Sequence, residues 1–201
     1  MLGEVAGIAG AAESPDEPEA RGLLALLRLQ HSRRAARFDA DGAPVTLEHQ
    51  DRARWDHALV AEGVALAHGA VAEGGPYALR AAIAAQHARA RVPAATDWVA
   101  IVALYDGLLA LRANPAVALN RAVAGGMRGG PQAQPAAVDA LGDPREVAGN
   151  HAVPAVRADA LRRLGRTREA AAAYRAAGAL APNTTIAREC ARRAAELEPD
   201  G

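Results

Sequence analysis

Apolar positions along this chain recur at helical spacing far more often than at strand spacing. Ser14-Pro15-Asp16-Glu17 reads as a helix start, with Ser as cap, Pro in the first turn and Glu closing a capping box. Leu23, Leu26 and Leu27 then carry a helix toward Arg37. From Asp51 the stripe Val60, Val64, Ala67, Val71 predicts a second helix, ended by Gly74-Gly75-Pro76. Tyr77 opens a third, with Leu79, Ile83 and Ala90 apolar, which closes near Pro93. Thr96 is placed to cap the clearest amphipathic helix, in which Trp98, Ile101, Val102, Tyr105, Leu108 and Leu109 share one face until Asn114-Pro115 stops it.

Two stretches break this rhythm. Phe38-Asp39-Ala40-Asp41-Gly42 carries the Asp-Gly signal of a tight turn, and Val45 and Leu47 alternate after it, so a small β-hairpin is expected near residues 36–48. Asp39 and Asp41 are also spaced like the first ligands of a calcium loop. No Glu closes such a loop at its twelfth position, so no calcium is expected. Gly125, Gly126, Gly129, Gly130, Pro131 and Pro135 weaken the second break, and residues 125–153 are expected to be the loosest part of the fold.

A repeat emerges in the second half. Ala103, Ala137 and Ala170 recur at steps close to the length of a tetratricopeptide repeat, and Ala170, Tyr174, Ala177 and Pro182 have the spacing of its second helix. Small residues let the two helices of a hairpin close up, the aromatic fills the gap to the next hairpin, and Pro ends the helix. Ile186, Cys190, Ala194 and Leu197 form a last helix suited to covering the stack. The expected fold is all-α: a tetratricopeptide-like helical hairpin array (an α-solenoid) with one small β-hairpin. Its expected parts are a disordered leader (1–13), an N-terminal helical subdomain (14–95) and tetratricopeptide-like repeats (96–198).

Composition reinforces the helical reading. Among 201 residues there are 55 alanines and six aromatics, and Ala is the best helix former. Acidic and basic residues balance at 23 each, so no global field pulls the chain toward nucleic acid or membrane. All the basic residues are Arg, and the nine between 155 and 198 interleave with Ala and acids as a solvated helix face would. Cys190, the only cysteine, sits on an apolar stripe as a buried small residue. No signal peptide and no run of ~18 apolar residues is apparent, so the expected compartment is the cytoplasm.

Chemistry is sparse. There is no GxSxG, no phosphate loop ending in Lys and no HExxH, and the six histidines never fall at i, i+4. No catalytic residue, cofactor or metal is therefore expected. The carboxylates Asp39, Asp41, Asp51 and Asp56 read as turn and helix-start residues rather than as an acid–base set. The densest polar cluster is Gln50-Asp51-Arg52-Ala53-Arg54-Trp55-Asp56. On a helix it would pair Arg52 with Asp56 and Asp51 with Arg54, with Trp55 turned into the core. It is either a salt-bridged first turn or a recognition surface for another protein domain.

An ordered series of segments carries a family resemblance. It includes Asp16-Glu17-Pro18-Glu19, Gly22-Leu23-Leu24-Ala25-Leu26, Arg33-Arg34-Ala35-Ala36-Arg37, Asp39-Ala40-Asp41-Gly42, Gln50-Asp51-Arg52 and Trp55-Asp56. It continues through Gly75-Pro76-Tyr77, Ala103-Leu104-Tyr105-Asp106, Leu119-Asn120-Arg121-Ala122 and Leu161-Arg162-Arg163-Leu164-Gly165-Arg166. Over residues 16–198 the chain resembles the C-terminal extension of extracytoplasmic-function-type sigma factors, members of the sigma-70 family of bacterial RNA polymerase subunits. The sigma regions 2 and 4 that precede this extension are not in the sequence. The resemblance implies a non-catalytic regulatory domain in transcription initiation whose partners are sigma regions, RNA polymerase or a regulatory protein, with no direct DNA binding and no membrane. The alternative is an independent tetratricopeptide-type scaffold. Asp39, Asp41, Gln50, Asp51, Arg52, Trp55, Asp56, Tyr77, Asn120 and Arg121 make up the candidate interaction surface.

Overall fold

A computed structural model describes residues 17–40, 42, 45–72, 74–141 and 151–198. The described residues form nine α-helices and no strand, in two compact units, residues 1–111 and 112–201. The leader, Ser14, Pro15, Asp16, Asp41 and residues 142–150 within the stretch expected to be loosest all lie outside the described residues.

The first unit holds α1 (Glu17–Ser32), α2 (His57–Val71), α3 (Pro76–Arg89) and α4 (Trp98–Leu111). The first three pack against one another in pairs, and α4 lies against α3. Their shared core is Ala25, Leu29, Ala67, Ala81 and Ala85, closed in by Leu26, Val64 and Leu66. Small side chains set the spacing. A Cβ on Gly22 would stand 2.6 Å from the Ala78 backbone nitrogen, and one on Gly63 would stand 2.7 Å from Leu29 Cγ. The buried face of α2 is thus Gly63, Ala67 and Ala70, rotated from the Val60–Val71 stripe toward its smallest residues.

Between α1 and α2 the expected β-hairpin does not form. Gly42 takes the left-handed turn that Asp-Gly signals (φ 77°), with its N–H donating to Asp39 O at 3.2 Å. Beyond it Val45 N–H donates to Arg37 O (2.8 Å), and His49 and Gln50 then turn back onto Thr46 O, which ends any ladder before a strand can extend. The helix expected from Asp51 is likewise broken. Asp51 caps a short 3₁₀ turn (Arg52–Arg54) by accepting from Ala53 N–H, Trp55 is extended, and Asp56 caps α2 by accepting from Leu59 N–H. The cap of α4 is Asp97, whose Oδ1 accepts from Ala100 N–H at 2.9 Å, rather than the neighbouring Thr96.

The second unit holds α5 (Pro115–Gly129), α6 (Gln134–Asp139), α7 (Ala152–Arg163), α8 (Thr167–Ala179) and α9 (Thr184–Glu196). α5 starts as the sequence indicates, with Asn114 Oδ1 accepting from Ala116 and Val117 N–H and Pro115 in the first turn. It runs through Gly125 and Gly126. Gly126 is needed there, because a Cβ would stand 2.3 Å from Oε1 of the buried Gln134, which accepts from Arg163. α7 ends in a Schellman motif: Gly165 has φ 73°, Arg166 N–H donates to Leu161 O and Gly165 N–H to Arg162 O. That turn folds α8 back against α7 around Ala158, Leu161, Ala170, Ala171 and Tyr174. The last hairpin thus has the small-residue seam read from its sequence, with Ala170, Tyr174 and Ala177 all buried and Cys190 buried on the covering α9. A solenoid of such hairpins is not established. Pro131 and Pro135 confine the element after α5 to the six residues of α6, so no second long hairpin stands beside α7 and α8. The C-terminal arginines are engaged on the helix surfaces, with Arg162 on Asp159, Arg166 on Glu169, Arg175 on Glu198, and Arg192 and Arg193 on Glu189, whose carboxyl they hold down to about 2.

Close helix contact makes a sharp prediction. Gly22→Ala forces backbone apart and is expected to cost about 1–3 kcal/mol in urea unfolding. Gly125→Ala meets nothing within 4 Å in mid-helix and is expected to stabilise by about 0.5–1 kcal/mol.

Candidate interaction surface

Helix α3 lacks a capping side chain of its own, because its N-cap is Gly75. The acceptors come from α1. Glu19 Oε2 accepts from Tyr77 N–H at 3.0 Å and Glu19 Oε1 from Ala78 N–H at 3.1 Å, and Gly75 leaves the room that Glu19 fills. At the other end Arg52 reaches back from its 3₁₀ turn. Its Nη1 donates to His87 O (2.6 Å) and Ala90 O (2.7 Å), the carbonyls that a helix end leaves open. A negative group at the N-terminus and a positive one at the C-terminus also match the helix dipole.

Arg52 completes this clamp by lying over the buried Trp55 ring, 4.8 Å from its centroid. Arg52, Ala53, Trp55, His57, Val60, Ala88, Arg89, Ala90 and Arg91 line a groove of about 550 Å³ at the end of α3. Arg33 and Arg37 converge behind it on Gln30. Both donate to Gln30 Oε1, and Arg37 Nη2 also donates to Gln30 O at 3.0 Å. The cluster is strongly positive. Burial, and then Arg37 and Arg52, lower the pKa of Arg33, and burial lowers that of Arg52. His87 meets Trp98 edge-on at 5.3 Å, and burial, with Arg33 and Arg52 beside it, lowers its pKa to about 4.

The structure therefore brings Gln50, Asp51, Arg52, Trp55 and Asp56 into one neighbourhood, though not with the pairings expected on a helix. Arg52 bonds backbone carbonyls instead of Asp56, which stands 3.8 Å from Arg34. Asp51 and Asp56 serve as caps, and the buried Gln50 donates to Val45 O at 3.0 Å. Asp39 is exposed in the turn before Gly42. Tyr77 sits at the opposite end of α3, part of the Glu19 contact. Asn120 and Arg121 lie on α5 in the second unit, the first exposed and the second half-buried. Glu19 and His87 escaped the sequence reading because their partners are distant: Glu19 caps a helix 58 residues on, and Arg52 meets His87 across 35.

Among the described residues no group of three His, Cys, Asp or Glu side chains is arranged to hold a metal ion, and no helix is long and apolar enough to cross a membrane. Residues 5–71 match the model of a family of unknown function, DUF6596. An uncharacterised protein of Rhizobium meliloti (strain 1021) is 47% identical over 175 residues, 86% of this chain and 41% of the relative. The chain thus spans about two fifths of the length of the curated relative it matches. No solved structure matches.

Two expectations follow from the clamp. Arg52→Lys keeps the charge but cannot bridge two carbonyls while covering Trp55, and is expected to cost about 1–2 kcal/mol in thermal unfolding. His87 is held neutral in the fold and has a higher pKa once unfolded, so stability is full above pH 6.5 and declines as pH falls from 6.5 toward 4. In His87→Gln that part of the pH dependence, measured by urea midpoints across this range, is expected to flatten.

Proposed function

We propose that the chain is a non-catalytic regulatory and protein-interaction domain of an extracytoplasmic-function-type sigma factor of the sigma-70 family. The observation that carries this reading is its relation to the longer relative, in which a segment like this one makes up 41% of the protein. A domain that recurs inside a chain more than twice its size suits an extension working beside other regions. The ordered segments shared with sigma-factor extensions, from Asp16-Glu17 to Gly165-Arg166, supply the identity of those other regions. The polar residues that could have served an acid–base reaction support the non-catalytic part, since Asp51 and Asp56 are spent on capping Ala53 and Leu59. On this reading the partners are sigma regions 2 and 4, RNA polymerase or a regulatory protein in the bacterial cytoplasm, met through the surface around Arg52.

A second reading, an independent tetratricopeptide-type scaffold, is favoured by the α7–α8 hairpin, whose Ala170, Tyr174 and Ala177 seam is that of such repeats. Pull-down separates the two. The sigma-factor reading expects retention of a fragment carrying sigma regions 2 and 4, or of core polymerase, by the immobilised chain. Retention of neither, with other proteins bound, sinks it in favour of the scaffold.

A further inference from the structure

The groove at the end of α3 contains hydrogen-bond donors with nowhere to donate. Arg52 Nε and Trp55 Nε1 are buried without a partner among the described residues, and Trp55 is only 4% exposed. Buried donors in native proteins are nearly always satisfied, so two such groups lining one groove mark a place where an acceptor arrives from outside. The surrounding charge says which kind. Arg89 and Arg91 are exposed on the groove wall, and Arg33 and Arg37 stand behind Arg52 with the neutral oxygens of Gln30 as their partners. The charged neighbours that bear on His87 are themselves cations, Arg33 and Arg52. An incoming anion would relieve this repulsion and accept from both orphaned donors.

We propose that this groove binds an acidic segment of a partner protein, with an Asp or Glu carboxylate directed at Arg52 and Trp55. The proposal rests on reading the chain as a protein-interaction domain and adds the chemistry of its partner. Two features favour a peptide over a phosphodiester strand. The groove wall includes the apolar Val60, Ala88 and Ala90, which fit the methylenes of a side chain. The 23 acids and 23 bases of the chain balance, so the positive charge is local rather than a track along which a nucleic acid could run.

The site reports on itself. The chain has two tryptophans, Trp55 under Arg52 and Trp98 against His87, so its intrinsic fluorescence reads this one neighbourhood. The full chain is titrated with a capped octapeptide of alternating Glu and Ala, with its Gln–Ala counterpart, and with an eight-nucleotide oligothymidine. The Glu peptide is expected to give a saturable change in emission at low salt, with affinity about tenfold above the Gln peptide and falling as salt rises. Arg89→Gln with Arg91→Gln, both exposed and outside the clamp, is expected to weaken binding about threefold with an unchanged circular dichroism spectrum. Equal affinity for the two peptides, no saturation with either up to about 1 mM, or tighter binding of the oligothymidine overturns the proposal. Failure here with the sigma fragment still retained in pull-down removes the acidic-ligand assignment alone. Glu-peptide binding without sigma or polymerase retention removes the sigma-factor reading and leaves the groove.

Discussion

The first unit depends on how α3 is held at its two ends. A 14-residue helix, rich in Ala and started by Gly75, is marginal by itself. Glu19 supplies two acceptors at one end and Arg52 two donations at the other, from segments on either side of α2 in the chain order. Each of these side chains needs its own support. Glu19 must lie on a formed α1, and Arg52 on a 3₁₀ turn fixed by the Asp51 cap and followed at once by the Asp56 cap of α2. Asp56 N–H in turn donates to Ser32 O, the end of α1. The polar contacts therefore close a circuit through three helices, and the irregular stretch from Arg33 to Trp55 is anchored at both ends by it.

Packing inside that circuit is shallow in volume and tight in distance. Ala25, Ala67, Ala81 and Ala85 remove little apolar area per residue. What they permit is near contact of backbones, as Gly22 against Ala78 and Gly63 against Leu29 show. Dispersion between closely apposed helices then supplies what large side chains would supply elsewhere. Such a core leaves little freedom for helices to slide, which suits a surface whose donors must keep their positions.

Most of the helices were readable from local pattern, because apolar period and the stop signals at Gly74-Gly75 and Asn114-Pro115 act within a few residues. The errors share one cause, competition decided by non-local contacts. Asp-Gly at 41–42 does signal a turn, but a turn makes a hairpin only if two strands can pair beyond it, and Thr46 captures His49 and Gln50 first. Arg52 and Asp56 have helical spacing, yet Arg52 finds better acceptors at the end of α3 than Asp56 offers. Thr96 and Asp97 are both capping residues, and the register of α4 selects the second. Of the candidate surface, the run from Gln50 to Asp56 was visible as a dense polar cluster. The positive depth of the groove was not, since Arg33, Arg52, His87 and Trp98 meet only once α3 and α4 are in place.

The reach of Glu19 also separates inheritance from folding. The family match stops at residue 71, the last residue of α2, while the amides that Glu19 caps belong to Tyr77 and Ala78. A piece of chain cut at that border would keep its signature and lose its third wall, leaving Ala25 and Leu29 uncovered and a carboxylate with no helix to hold. The smallest self-sufficient portion of this unit thus extends at least to Ala90, whose carbonyl Arg52 requires, and evolutionary shuffling of the matched segment alone would have to bring a substitute for α3 with it.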